Sequence, residues 1–451
     1  MDKLNTLAIL SQAADWDAAA PRPHIESAVN DSTRAPSSLY ESIDEQKQPE
    51  SGHGVREDAA YGICRVKRLS GGSIPILKVL LSNACSYNCA YCVNRKSANV
   101  RRASFQPEEL ARTVSDFSKR GVIQGAFISS GVLGTPDDTM ERLIRTAQYL
   151  RNRYGYRGYL HLKVIPGASH ELVTKAMKYA TRVSVNIELP SEESLVKIAP
   201  DKTPDSILIP MTAIRDRLRE NAWDRSMHFL AANAEGFMAA GQTTQLIVGA
   251  SPEPDREILK LAYHLYKNLD VRRVYYSAFR SEGADASLPH ANIPPFEREF
   301  RLYQADMLFR WYGFEPDELF DSQQNLDEDL DPKTSWALRH LDLFPIELMT
   351  ADLLQLVRIP GIGPSSARKI LELRKSGNLS AATLKKLRIR LRFAQWFITL
   401  RGKMLALEDV NSIQVNIQSA LENPESLRRL FRRKKIPPPP YSPQFDFISS
   451  P

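Results

Sequence analysis

Three of the four cysteines in this 451-residue chain stand within one short run, Cys85-Ser-Tyr-Asn-Cys89-Ala-Tyr-Cys92. Thiolates so spaced can converge on metal. Three of them can hold three corners of a cubane iron–sulfur cluster and leave the fourth iron open, whereas complete ligation takes four cysteines. The competing chemistry is a closed tetrahedral zinc site, with Cys64, 21 residues upstream, or the nearby His53 as fourth ligand. Three ligands on one tight loop suit the cubane better.

A second constellation is built for a polyanion. Residues 358–435 carry 18 Lys or Arg against five acids, while the remainder carries 42 against 48. This basic segment opens on Leu356-Val-Arg-Ile-Pro360-Gly361-Ile362-Gly363-Pro-Ser-Ser-Ala367-Arg368-Lys369-Ile370, which resembles a helix-hairpin-helix motif. Two glycines allow a tight hairpin, and the second helix then begins with free N–H groups that can receive a phosphate. Ile362 is expected between the helices, with Ala367 and Ile370 facing the first helix and Arg368 and Lys369 reaching backbone phosphates. Such a unit positions DNA by charge and shape without reading its sequence. Lys385, Lys386, Arg388, Arg390 and Arg392 could extend the footprint, and 428–435 is a third basic run. The plainer reading of such charge is a solvated helical surface or a basic tail.

Elements must position both groups. Apolar residues make up 43% and charged residues 25% of the chain, so most of it can bury a core. No stretch approaches the roughly 18 apolar residues of a membrane span. Met1-Asp2-Lys3-Leu4 lacks a secretory pattern. Four cysteines are too few for a disulfide framework, so a reducing, cytoplasmic setting is expected. Strands are predicted at 76–81, 126–129, 159–164, 183–187, 245–248 and 273–277. Helices are predicted between them at 107–119, 139–153, 171–179, 204–220 and 255–268. This alternation predicts parallel strands in a partial or complete barrel, with its chemistry at strand C-termini, where the cysteine loop falls. The domain plan has six parts. A helix occupies 1–20, a flexible linker 21–60 and the core barrel 61–290. A helical closure follows at 291–343, then an all-helical hairpin unit at 344–402. The last part, 403–451, is a basic, Pro-rich tail with Pro437–Pro440 extended.

The cysteine run after the first strand, with aromatic Tyr91 before the last cysteine, resembles the radical S-adenosylmethionine superfamily. The resemblance implies a 4Fe–4S cluster on Cys85, Cys89 and Cys92. It implies S-adenosylmethionine chelating the open iron, then reductive cleavage to a 5′-deoxyadenosyl radical that abstracts a substrate hydrogen. It places Ser129-Ser130-Gly131 at the methionine amino group and Asn186 and Glu188 at the ribose or carboxylate. Gly249-Ala250, after Gln245, would lie near the adenine. Ser-Ser-Gly is also a common turn, and Glu188 could instead cap a helix. Tyr275, Tyr276 and Ser277 end the sixth strand, and because adjacent residues alternate faces, at least one tyrosine is expected in the core.

Over nearly the whole chain the sequence is similar to a bacterial group of DNA modification or repair radical S-adenosylmethionine proteins. The similarity is carried by 62–64, 80–96, 128–132, 161–169, 184–190, 242–250, 275–279 and 329–343, with the hairpin following in the same order. It implies an α/β fold: a radical SAM partial (β/α)6 barrel followed by a small all-α helix-hairpin-helix DNA-binding domain. Implied with it are DNA as partner, a DNA glycosylase-like protein and a one-electron donor such as flavodoxin or ferredoxin. Gln444-Phe445-Asp446-Phe447-Ile448 resembles peptides that bind the bacterial sliding clamp. The expected function is radical modification or repair of DNA. The alternatives are the same chemistry on RNA or tRNA, and a metal-stapled scaffold that recruits repair proteins. Cys64 is expected to be a buried structural thiol or a second-site ligand.

Overall fold

The computed structural model describes residues 3–14, 62–67, 73–227, 240–290, 294–387, 389–404 and 424–432. The expected 21–60 linker and the 444–448 peptide lie outside these residues. The chain divides into two compact units, 1–326 and 327–451.

In the first unit, helix α1 (Lys3–Ala13) precedes strands β1 (Ile63–Lys67) and β2 (Ser73–Leu80). Then come α2 (Pro107–Lys119), β3 (Gly125–Ser129), α3 (Pro136–Gln148), β4 (Tyr159–Lys163), α4 (His170–Met177) and β5 (Arg182–Ser184). The unit continues with α5 (Glu192–Ile198), α6 (Pro204–Met227), β6 (Gln242–Val248), α7 (Asp255–Asn268), β7 (Val271–Ala278) and α8 (Phe296–Trp311). The seven strands form one sheet in chain order. β2 to β7 run parallel, so the six strand-helix repeats build a partial barrel. Its strands are buried on both faces, as parallel strands covered by helices must be: every residue of β3 and β6 is buried.

The helices form where apolar spacing and caps agree. α2 spans the predicted 107–119, with Leu110, Ala111 and Val114 on its buried face. α3 begins at a capping box in which Thr135 Oγ1 accepts from Asp138 N–H, and it ends in a π turn over Tyr149–Arg153.

Three departures have physical causes. β1, antiparallel to β2, extends the sheet beyond the predicted strands. Its Ile-Cys-Arg-Val-Lys sequence mixes charge into an edge strand, which hides it from an apolar pattern. β6 starts at Gln242 rather than 245 because Gln242, Thr243 and Thr244 are fully buried polar residues. The Gln242 amide donates to Met211 O and Leu269 O at 3.2 and 2.5 Å. β5 stops at Ser184, short of 187, because Ile187 N–H turns to Thr244 Oγ1 at 2.9 Å instead of a ladder carbonyl.

The second unit holds α9 (Pro332–Arg339), β8 (Ile346–Glu347), α10 (Leu353–Arg358), α11 (Pro364–Lys375), α12 (Ala381–Lys386), α13 (Leu391–Ala394), β9 (Ile398–Leu400), β10 (Lys403–Met404) and α14 (Pro424–Phe431). The expectation of an all-helical unit is corrected, since β10, β9 and β8 form a three-stranded sheet. Strands of two or three residues are too short to show a period of two. A two-residue turn at Arg401 and Gly402, both at positive φ, joins β9 to β10, and Glu347 accepts both of their N–H groups.

α9 belongs with this unit because the buried Lys333 donates to Ile362 O at 2.5 Å and Arg358 lies over the Trp336 ring at 4.9 Å. Burial pushes the Lys333 ammonium down from 10.5 to about 7, with Asp331 opposing the shift. Between these values the unfolded chain holds a proton that the folded chain sheds. Stability therefore falls as pH drops from 10.5 to 7, by up to about 1.4 kcal/mol per pH unit, and the loss is complete below 7. Lys333→Met is expected to flatten this slope in thermal unfolding measured between pH 7 and 10.

Candidate active site

Above the C-terminal edge of the sheet lies a cavity of about 980 Å³, mouth included. Cys85, Cys89 and Cys92 all line it. Their loop leaves β2 through Leu81, whose N–H donates to Ser129 O at 2.7 Å, and through Asn83, which pairs with the returning segment at Ala103. Backbone N–H groups point at the sulfurs. Cys85 Sγ accepts from Val132 and Tyr87 at 3.3 and 3.4 Å, and Cys92 Sγ accepts from Asn94 at 3.4 Å. Burial pushes the Cys89 thiol up and the Cys92 thiol up to about 12, so metal binding must displace their protons.

The end of β3 forms the adjoining wall. Ser129 Oγ is buried there with no hydrogen-bond partner among the described residues, and Ser130 Oγ donates to Gly131 O at 2.7 Å. Gly131 is a close approach: a Cβ there would sit 2.4 Å from Ala84 O and 3.1 Å from Cys85 Cβ. Glu188, 4% exposed, stands across the cavity at φ 65. That conformation costs an L-residue roughly 1–3 kcal/mol and persists only where neighbours hold it. β6 holds it here, since Glu188 N–H donates to Gln245 O at 3.0 Å and Glu188 O accepts from Ile247 N–H at 2.8 Å.

Lys202 was not visible in the sequence. Its Nζ donates to Glu188 Oε1 at 2.8 Å and to Tyr91 Oη at 3.0 Å. The segment before it latches onto the cysteine loop: Ala90 N–H donates to Ile198 O at 2.8 Å, and Asn88 N–H to Asp201 Oδ2 at 2.6 Å. Burial alone would push the Lys202 ammonium down, but Glu188, with the neighbouring cysteines, outweighs it and raises it. Burial, then Glu188, raises the Tyr91 phenol well above its ordinary range, so Tyr91 keeps its proton.

The cavity thus gathers the three cysteines with Tyr91, Ser129, Ser130, Gly131 and Glu188. Asn186 and Gly249 are not in its lining. Asn186 is buried with its amide 3.5 Å from Gln245 Oε1, and it is Gln245 that reaches the cavity. Gly249, at φ 91, packs against Pro295. Tyr275 and Tyr276 are both core, while Ser277 lines the cavity. Lys163 and Arg280 join the lining from the ends of β4 and β7. Cys64 pairs with Ile76 across β1 and packs on Ile74, Ile76 and Phe127, away from the loop cysteines. Among the described residues no three His, Cys, Asp or Glu side chains converge on a single metal ion, as a zinc site would need. A cubane asks for something else, since its thiolates sit on separate irons. The cysteines sharing one cavity, the N–H groups on their sulfurs and the glycine cradle fit that group.

Residues 79–264 match the family described as the Radical SAM superfamily. Over that stretch the chain is similar to this superfamily. That superfamily implies a 4Fe–4S cluster and S-adenosylmethionine as cofactors. Two solved structures are similar to the chain. One is HydG, a maturase of the FeFe-hydrogenase, at 17% identity over 51% of this chain and 48% of that chain, with a TM-score of 0.34. The other is the FeFe-hydrogenase maturase HydG from Carboxydothermus hydrogenoformans, at 14% identity over 70% of each chain, with a TM-score of 0.35. The chain spans about half the length of the first. No curated protein matches it. Among the described residues no helix is long and apolar enough to cross a membrane.

Proposed function

We propose that this enzyme modifies or repairs DNA, with Cys85, Cys89 and Cys92 holding the cluster and the second unit engaging the duplex. Held there and reduced by an external one-electron donor, a cluster would supply the electron for cleavage of S-adenosylmethionine to methionine and a hydrogen-abstracting radical. Ser129 Oγ and the Glu188 carboxylate offer the cofactor an acceptor on either wall, and the Gly131 backbone leaves room beside Cys85.

The observation that carries the DNA reading is the hairpin between α10 and α11. It turns at Gly361, φ 84, where a Cβ would meet Arg390 O at 2.7 Å, so the turn demands glycine. Ile362, Ala367 and Ile370 are buried, while Arg368 and Lys369 are exposed. Lys375, Lys385, Lys386, Arg401 and Lys403 are also exposed in this unit, giving a basic surface suited to phosphates. Arg374 is a structural exception, donating to Ala351 O at 2.7 Å.

The test is anaerobic turnover of the reconstituted, dithionite-reduced protein with S-adenosylmethionine, assayed for 5′-deoxyadenosine with and without duplex DNA. Duplex is expected to stimulate the wild type. The charge reversal Arg368→Glu/Lys369→Glu should keep basal cleavage, lose the stimulation and reduce the slope of log affinity against log salt by about 2. Binding that requires ribose 2′-hydroxyls would replace DNA by RNA. Absence of salt-dependent duplex binding would remove the DNA reading and leave the radical chemistry standing.

A further inference from the structure

We propose that Arg102 is a positioning residue for the iron–sulfur cluster, acting as a clasp across the two ends of the cysteine loop. The inference rests on the three cysteines being the cluster ligands and is independent of whether the substrate is DNA. Arg102 lies ten residues beyond Cys92, outside the cysteine spacing. One guanidinium nitrogen donates to Asn83 O at 2.6 Å and Asn94 O at 2.8 Å. The other donates to Arg95 O at 2.7 Å and Ala98 O at 2.9 Å. Asn83 precedes Cys85, and Asn94, Arg95 and Ala98 follow Cys92. One planar cation therefore draws together four carbonyls from both sides of the ligand run. Lysine has one nitrogen to offer, not a fork, and cannot span the same set.

Two of those carbonyls lead directly to Cys92. Asn94, held by Arg102 at its carbonyl, places its N–H on Cys92 Sγ at 3.4 Å and its side-chain amide on Ala13 O at 3.3 Å. Arg95, held likewise, donates to Cys92 O at 3.2 Å. Hydrogen bonds to the sulfurs are one of the levers by which a protein sets a cluster's reduction potential. An N–H dipole aimed at a thiolate favours the reduced, more negative cluster. Loosening Asn94 should therefore make the cluster harder to reduce. The same neighbours hold the ligands in place, and losing such partners typically costs about 10–100-fold in metal affinity.

The test compares full-length wild type, Arg102→Lys and Arg102→Gln after anaerobic reconstitution, with Arg101→Gln as an exposed control. The readouts are the midpoint potential, the electron paramagnetic resonance signal of the reduced cluster, and the rate of iron loss to a chelator. Circular dichroism checks the fold. Arg102→Lys is expected to keep its fold, shift the midpoint to more negative potential and lose iron about tenfold faster, with Arg102→Gln further along the same line. Arg101→Gln should match wild type. If the Arg102 variants melt earlier but keep wild-type potential, signal and chelation rate, Arg102 merely supports the fold and the proposal is overturned. If Arg102→Gln cannot be reconstituted, Arg102→Lys alone decides between these outcomes. Loss of all iron from Cys89→Ala tests the underlying ligand assignment separately.

Discussion

Gly131→Ala is expected to leave the protein folded but lower its cluster content severalfold and its S-adenosylmethionine cleavage by at least about 100-fold. The added Cβ would lie 2.4 Å from Ala84 O, and the obstacle is backbone, so no rotamer change relieves it. Gly131 cannot simply withdraw, because its N–H is bonded to Ser82 O at 2.7 Å. Something must shift, and the nearest movable group is the residue after Ala84, Cys85, whose Cβ is 3.1 Å from the new methyl. Overpacking of this kind costs typically 1–3 kcal/mol, which a chain this size can survive. Displacement of a ligand by a fraction of an ångström is less forgiving, since misplacement near 1 Å can cost about 100-fold in rate. Iron and sulfide per chain, with turnover per cluster, separate the two losses. Wild-type values for both would show that the cradle has slack.

Lys202→Met should destabilise the first unit by about 3–5 kcal/mol, because it strands the Glu188 carboxylate in a buried site. Lys202 and Glu188 are 8% and 4% exposed, so water cannot take over the lost contact. The double variant Lys202→Met/Glu188→Gln should recover most of that loss, as removal of both charges leaves no buried ion. Denaturant unfolding of the four proteins forms the cycle. With Glu188→Gln as the second single variant, a double-variant loss equal to the sum of the two single losses would mean that the pair has no charge coupling.

What could be seen in the sequence was what is local along it. The cysteine spacing, the strand-helix alternation and the Gly361–Gly363 hairpin are each written within a few residues, and α2 and α7 end where their apolar spacing ends. Lys202 and Arg102 are different. Each is one cation in a chain with 60 Lys and Arg, and its role exists only because folding brings Glu188 or the loop carbonyls to it. The same holds for Gln245, which reaches the cavity where Asn186 does not: both are polar, inward residues on neighbouring segments, and only the short β5 decides between them. The small sheet of the second unit escaped for the opposite reason, as its strands are shorter than any period that could reveal them.

The left-handed backbone at Glu188 has a consequence for which sequences this site can accept. Glycine, asparagine and aspartate tolerate that conformation best, yet none of their side chains is long enough to keep the contact with Lys202. Glutamine has the length but no charge, and every β-branched residue is disfavoured by the backbone. Each single-residue route away from glutamate thus gives up either the conformation or the ion pair. Position 188 is a narrow pass in sequence space, where drift in this protein would require a second change at position 202 to accompany the first.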